Sequence, residues 1–214
     1  MVTLTIDGKR ITASADSTIL EAARENDIHI PSLCWLKDIN EIAACRVCIV
    51  EIEGIDRPIP ACDTLVEEGM VIHTNSPSVR AARRLNIELI LSQHDCHCAT
   101  CDRSGSCSLQ EMASDFNILD LRYDKDVPKN RWDMNAPLIR YESKCIKCMR
   151  CVQVCNKIQS LNIWDVSGTG SRTSVNVSHN RTILESDCSF CGQCITHCPT
   201  GALREQSYIK EVMA

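Results

Sequence analysis

Two cysteine runs near the end of the chain carry the strongest chemical signal. Cys145-x2-Cys148-x2-Cys151-x3-Cys155 recurs as Cys188-x2-Cys191-x2-Cys194-x3-Cys198-Pro199, an offset of 43 residues. The x2 spacing lets three thiolates converge on one face of a cubane from a tight turn. In paired runs of this kind the fourth cysteine ligates the other cluster. This reading puts Cys145, Cys148, Cys151 and Cys198 on one [4Fe–4S] cluster, and Cys188, Cys191, Cys194 and Cys155 on a second. Zinc is the rival metal. It takes four thiolates per ion, which leaves the third cysteine of each run and the x3 spacing unexplained.

Two further groups lie upstream. Cys34, Cys45, Cys48 and Cys62 form C-x10-C-x2-C-x13-C. The central C-x2-C is that of plant-type [2Fe–2S] sites, with a longer first gap, and four thiolates suffice for two irons. Arg46, between Cys45 and Cys48, is expected near these thiolates; the plainer reading is an exposed arginine. The other group is His94-x3-Cys98-x2-Cys101-x5-Cys107, with Cys96 as an alternative to His94. Spacing favours His94, because Cys96 is a single residue away from Cys98 and two such neighbours are cramped on one cubane. An imidazole ligand is neutral where a thiolate is anionic, so it changes cluster charge and potential.

These sites must be held by a chain poor in large side chains. Aromatic residues make up 4% of 214 residues, so metals or disulfides have to supplement the core. The start, Met1-Val-Thr-Leu-Thr-Ile-Asp-Gly-Lys, has no apolar stretch of signal-peptide length. Nor does any segment reach the run of about 18 apolar residues of a membrane helix. The expectation is a cytoplasmic protein, where disulfides rarely persist. A net charge of −5 argues against nucleic acid as a partner, and Arg80, Arg83 and Arg84 read as the solvated side of a helix.

Val2, Leu4 and Ile6 alternate with polar residues as in a half-buried strand. Asp7-Gly8 signals a hairpin into Arg10–Ala13. Ser17 is expected to cap a helix to about Arg24. Residues 47–52 and 70–73 read as strands, which completes a small α+β domain of about 75 residues. Ser76-Pro77 starts a helix to about Ser92, with Val79, Ala82, Leu85, Leu89 and Ile90 at helical spacing. Ser108 caps another, Leu109 to Phe116. Residues 124–137, with Pro128 and Pro137, read as a linker. Ser167-Gly-Thr-Gly-Ser-Arg lacks the strand–loop–helix context of a dinucleotide site and reads as a turn. Tyr208, Ile209, Val212 and Met213 fall on one face of a short terminal helix.

Ile30-Pro-Ser-Leu-Cys-Trp35, Ala44-Cys-Arg-Val-Cys-Ile-Val-Glu-Ile-Glu-Gly54, Ala61-Cys-Asp-Thr64 and Gly105-Ser-Cys-Ser-Leu-Gln110 resemble the N-terminal module of the complex I large iron–sulfur subunit. They are equally similar to the accessory domain of iron-only hydrogenases. Also similar are the iron–sulfur subunit of NAD-linked hydrogenases and the front end of NAD-linked formate dehydrogenases. The resemblance covers nearly the whole chain. It implies an α+β protein with a β-grasp [2Fe–2S] domain (1–76) and a short helical [4Fe–4S] segment (77–120). A linker (121–139), a bacterial-ferredoxin-like domain with two clusters (140–205) and a C-terminal helix (206–214) follow. It also implies His94 with Cys98, Cys101 and Cys107 as one ligand set, leaving Cys96 a spare thiol. Asn156 follows Cys155 where such runs usually have proline, which bears only on local turn geometry.

The resulting expectation is an electron relay with one [2Fe–2S] and three [4Fe–4S] clusters, serving an NAD-linked oxidoreductase, foremost a hydrogenase, with electron bifurcation as a variant. Its expected partners are a flavin- and NADH-binding iron–sulfur subunit, a catalytic hydrogenase or formate dehydrogenase subunit or domain, and soluble ferredoxin. No flavin, nicotinamide or catalytic motif is recognisable, and the obvious ligand positions are all used. The alternatives are an iron–sulfur subunit of a formate dehydrogenase or complex I-like enzyme and, from another class, a zinc-stapled binding module. Iron-only hydrogenases continue into a catalytic domain, whereas this sequence stops at Ala214. It is expected to be either the front end of a longer protein or a small subunit whose last helix docks on its partner.

Overall fold

The computed structural model describes residues 1–129 and 132–213. They form two compact units, residues 1–90 with 112–122, and residues 91–111 with 123–214.

In the first unit, strands β1 (Val2–Ile6) and β2 (Lys9–Ala13) pair antiparallel from Val2 opposite Ala13 to Ile6 opposite Lys9. Asp7 and Gly8 between them both have positive φ, 50° and 81°, the geometry whose twist matches the flanking strands. Helix α1 (Ile19–Glu25) follows, then β3 (Ile49–Ile52), β4 (Ile59–Pro60) and β5 (Val71–His73). The sheet order is β2-β1-β5-β3-β4, with β5 parallel to β1 and the other pairs antiparallel. Helix α1 lays Ile19, Leu20, Ala22 and Ala23 into a core with Leu4, Ile6, Val50 and Ile72. Full burial of an Ile or Leu contributes about 1.5–3 kcal/mol. The cap of α1 is Thr18, one residue beyond the expected Ser17. Its hydroxyl accepts from the Glu21 amide at 3.3 Å, and the Glu21 carboxylate accepts from the Thr18 amide at 2.9 Å. This reciprocal pair requires a Glu three residues past the cap, and Ser17 has Leu20 there.

Helices α2 (Pro77–Ser92) and α3 (Ser108–Asp115) begin where sequence placed them or within a residue of it. The buried face of α2 is different from the expected one. Val79 is buried as expected, but its buried companions include Arg83, Ile87 and Glu88, whereas Leu89 is 45% exposed. Arg83 is not solvated, being 4% exposed. Its Nη2 donates to the carbonyls of Ile49 at 2.7 Å and Thr74 at 3.1 Å. Glu88 accepts from Arg84 at 2.9 Å and Arg122 at 2.6 Å. Burial pushes its carboxyl pKa up, but the Arg122 and Arg84 bonds outweigh this and hold it below the usual range. Glu88→Gln keeps the shape and loses two charge-assisted bonds. It is expected to cost about 1.5–3 kcal/mol and to lower the thermal midpoint by on the order of 5 °C. An unchanged midpoint would show that the two arginines find equal partners in water.

In the second unit, β6 (Leu138–Arg140) precedes α4 (Arg150–Lys157), the hairpin β7 (Trp164–Ser167) with β8 (Ser174–Val177), α5 (Gln193–Thr196), β9 (Leu203–Glu205) and α6 (Ile209–Met213). Strand β6 pairs with β9 across more than 60 residues of chain, Leu138 opposite Glu205. The glycine loop is the β7–β8 turn, where a Cβ on Gly168 would collide with the Arg172 carbonyl. Trp132 stacks on Trp164 with ring centroids 5.7 Å apart, and its indole N–H donates to the Leu138 carbonyl. Between Phe116 and Pro137 the described residues form no helix or strand. Asn130 and Arg131 of the expected linker, and Ala214, lie outside the described residues. No helix among the described residues is long and apolar enough to cross a membrane.

Candidate iron–sulfur centres

All 16 cysteines are free thiols. Among the described residues no three His, Cys, Asp or Glu side chains form the tight ligand group of a single metal ion. The cysteines nonetheless lie in local groups, two of them around cavities.

The two C-x2-C-x2-C runs share one backbone design. Lys147 and Met149 have φ of 55° and 64°, and their repeat partners Phe190 and Gly192 have 52° and 75°. These left-handed residues wrap each run and end it at a helix start, since Met149 and Gly192 are the N-caps of α4 and α5. Left-handed backbone costs a non-glycine residue roughly 1–2 kcal/mol, so three of the four positions hold strain that an interior filling group would offset. Backbone amides turn inward: that of Lys147 bonds the Cys145 sulfur, that of Arg150 bonds Cys148, and that of Phe190 reaches Cys188 at 3.4 Å.

Cys145, Cys148, Cys151 and Cys198 line one cavity, and Cys155, Cys188, Cys191 and Cys194 line another. Each thus takes three cysteines from one repeat and the last from the other. Burial pushes the thiols of Cys145, Cys151 and Cys188 up, and those of Cys148 and Cys194 to about 12. For Cys194 the Trp164 side chain opposes this by hydrogen bonding the sulfur. A thiol in so dry a setting ionises only when a cation arrives with the charge to match, which fits iron as the filling group.

In the first unit Cys34, Cys45, Cys48 and Cys62 are all buried, at 1%, 8%, 0% and 0% exposure. Thiol hydrogen bonds from Cys45 and Cys62 hold Cys34 down to about 3, and the same bonds push Cys45 and Cys62 up. Cys48 is likewise lowered by its hydrogen bond with Cys62, so the four sulfurs share hydrogen bonds at close range, as the ligands of one metal site would before metal binds. Ala43 and Arg46, at φ 50° and 53°, bend the loop around Cys45. The Arg46 side chain is exposed. A buried cation near this group is Arg83, expected from sequence to be solvated; the charge of Cys48 favours its protonated form.

His94, Cys98, Cys101 and Cys107 belong to the second unit. His94 is 7% exposed, and its Nδ1 has no hydrogen-bond partner. Burial lowers its pKa to about 4, so near neutral pH it is an imidazole with a lone pair to give. Cys98 is pushed up by burial and by the neighbouring Cys96, Cys107 and Cys101 thiols. The Cys96 thiol donates to the His94 carbonyl at 3.3 Å. The loop is tied to the second cysteine run, where Arg103 donates to the Cys198 carbonyl at 3.0 Å. At Gly201 a Cβ would stand 2.9 Å from the Cys101 sulfur, so only glycine leaves room beside that thiol.

Comparison with known proteins gives three successive matches along the chain. Residues 1–77 match the 2Fe-2S iron-sulfur cluster binding domain, residues 83–122 the NADH-ubiquinone oxidoreductase-G iron-sulfur binding region, and residues 144–202 the 4Fe-4S dicluster domain. The NADP-reducing hydrogenase subunit HndD of Solidesulfovibrio fructosivorans is 42% identical over the whole chain, which covers 37% of that protein. The NADPH-Fe(3+) oxidoreductase subunit alpha of Geobacter sulfurreducens is 39% identical over 95% of the chain and 24% of its own length. The mitochondrial NADH-ubiquinone oxidoreductase 78 kDa subunit of Candida albicans is 30% identical over 97% and 29%. The chain therefore spans little more than a third, or less, of these relatives. Among solved structures, an NAD+-reducing [NiFe]-hydrogenase in the H2-reduced state superposes with a TM-score of 0.89 at 25% identity, covering 96% of this chain and 88% of that one.

Proposed function

We propose that this chain, an iron–sulfur module of the kind shared by NAD(P)-linked hydrogenases and NADH-ubiquinone oxidoreductases, relays electrons between a flavin subunit and a catalytic partner. The observation that carries the reading is the pair of cavities, each lined by four cysteines drawn from both repeats. When bound, iron–sulfur clusters supply one-electron steps without proton transfer or bond making. The chain's own residues bury many of these thiols, aim amides at the sulfurs, and hold ligands in fixed turns.

The ligand assignment is Cys34, Cys45, Cys48 and Cys62 for one [2Fe–2S] cluster. His94, Cys98, Cys101 and Cys107 take one [4Fe–4S] cluster, and the two crossed cysteine sets take the other two. The mixed sheet order β2-β1-β5-β3-β4 supports a β-grasp frame for the first. The whole-chain likeness to an NADP-reducing hydrogenase subunit and to an NAD+-reducing hydrogenase favours hydrogenase over complex I-like machinery. Both readings imply a flavin- and nicotinamide-binding partner, with soluble ferredoxin as a further exchange partner, in the cytoplasm.

Purified anaerobically, the chain is expected to carry about 14 irons, two from one [2Fe–2S] and four from each [4Fe–4S] cluster. It should bleach with dithionite, yet by itself neither evolve hydrogen nor oxidise NADH. Saturation near 10 irons, or stoichiometric zinc, removes one of the assignments. Steady turnover of either substrate by pure chain overturns the relay reading.

A further inference from the structure

The two four-cysteine cavities differ in a way that their repeat does not explain. The cavity of Cys145, Cys148, Cys151 and Cys198 is lined by one charged side chain, Arg140, and its twin by none among the described residues. Arg140 closes β6 and is 3% exposed. Its Nη1 lies 3.8 Å from the Glu142 carboxylate, beyond hydrogen-bond reach, and its Nη2 has no partner. Glu142 is itself engaged, accepting from the Ser174 hydroxyl at 2.6 Å. The guanidinium stays protonated in proteins, so this is a buried cation with a loose counter-ion and an unused N–H.

A buried charge of that kind is costly unless negative charge or an acceptor completes it. Reduction of a cluster adds one electron and moves no proton, so the site gains one negative charge. Net charge and hydrogen bonds to the sulfurs are two of the levers that set cluster potential. We propose that Arg140 is a potential-setting residue, whose buried positive charge favours the reduced state of the cluster held by Cys145, Cys148, Cys151 and Cys198. The repeat-related site lacks this cation, so two ligand sets of the same composition are tuned apart. The inference rests on the ligand assignment proposed above.

The test is a redox titration of the anaerobic full chain, followed by electron paramagnetic resonance. The cluster in question is identified as the signal missing from Cys148→Ala. Arg140→Met is expected to shift its reduction equilibrium about tenfold or more toward the oxidised form, about 59 mV for a one-electron couple. The other clusters should stay unmoved, and Arg140→Lys should retain most of the potential. Glu142→Gln removes the opposing charge and should raise the same midpoint. If Arg140→Met keeps its irons and its midpoint, the proposal is overturned. If it loses the cluster, Glu142→Gln decides, and no rise there overturns it. A full set of clusters in Cys148→Ala would instead overturn the ligand assignment, and the inference with it.

Discussion

Replacing His94 with alanine is expected to remove about four of about 14 irons while the remaining clusters keep their spectra. The side chain is buried, its Nδ1 has no protein partner, and burial holds it neutral down to about pH 4. A neutral buried imidazole with an orphaned nitrogen is what metal ligation needs and what hydrophobic packing does not. His94→Cys is expected to keep the irons and lower the potential of that cluster, because an anionic ligand replaces a neutral one. Cys96→Ser is expected to change neither, since a serine hydroxyl can still donate to the His94 carbonyl that the thiol reaches at 3.3 Å. Iron and sulfide analysis of the three proteins decides. Loss of irons in Cys96→Ser with none lost in His94→Ala would make Cys96 the ligand.

Stripping the clusters with a strong chelator under reducing conditions should unfold the second unit and spare the sheet of the first. In the second unit the core is built partly from cysteines. Cys155, Cys194 and Cys198 are buried in it, with Cys145, Cys151 and Cys188 packed alongside. Its regular elements are short, with three residues in β6 and β9 and four in α5. Segments of that size do not persist without a fixed core, and in such sites metal-binding free energy is largely folding free energy. The first unit has a five-stranded sheet and a core in which Cys48 and Cys62 sit among many aliphatic side chains, Leu4, Ile6, Ile19, Leu20 and Ile72 among them. Amide hydrogen exchange should show protection lost over residues 135–205 and kept in β1, β2 and α1. Uniform protection in the apo-protein would mean that the second unit folds on its packing alone, and uniform loss would mean that the first also depends on metal.

The local elements were legible because their causes are local. Strands β1 and β2, the Asp7-Gly8 turn and the start of α2 at Pro77 follow from alternation, turn chemistry and helix punctuation within a few residues. Helix α2 went astray on its face, because counting apolar residues misses a polar residue that satisfies itself inside. Arg83 is buried by the carbonyls of Ile49 and Thr74, the first of which lies far off in sequence. The cap at Thr18 was missed by one residue, because its reciprocal bond with Glu21 outcompetes the alternative at Ser17.

Spacing by itself determined which thiols can share a turn: the two C-x2-C-x2-C runs, the central C-x2-C of the first domain and the His94 loop are each short enough for geometry to be local. Only the tertiary structure decided which distant strands pair. The crossing of Cys198 to Cys145 was expected from the paired runs, whereas the β6–β9 pairing joins chain more than 60 residues apart, where loop closure costs little extra per residue and leaves no local signature. Burial, too, was a tertiary outcome. The same arginine side chain is a solvated charge at Arg46 and a buried cation at Arg83 and Arg140, because the free energy of a charge is set by what surrounds it and not by its neighbours along the chain.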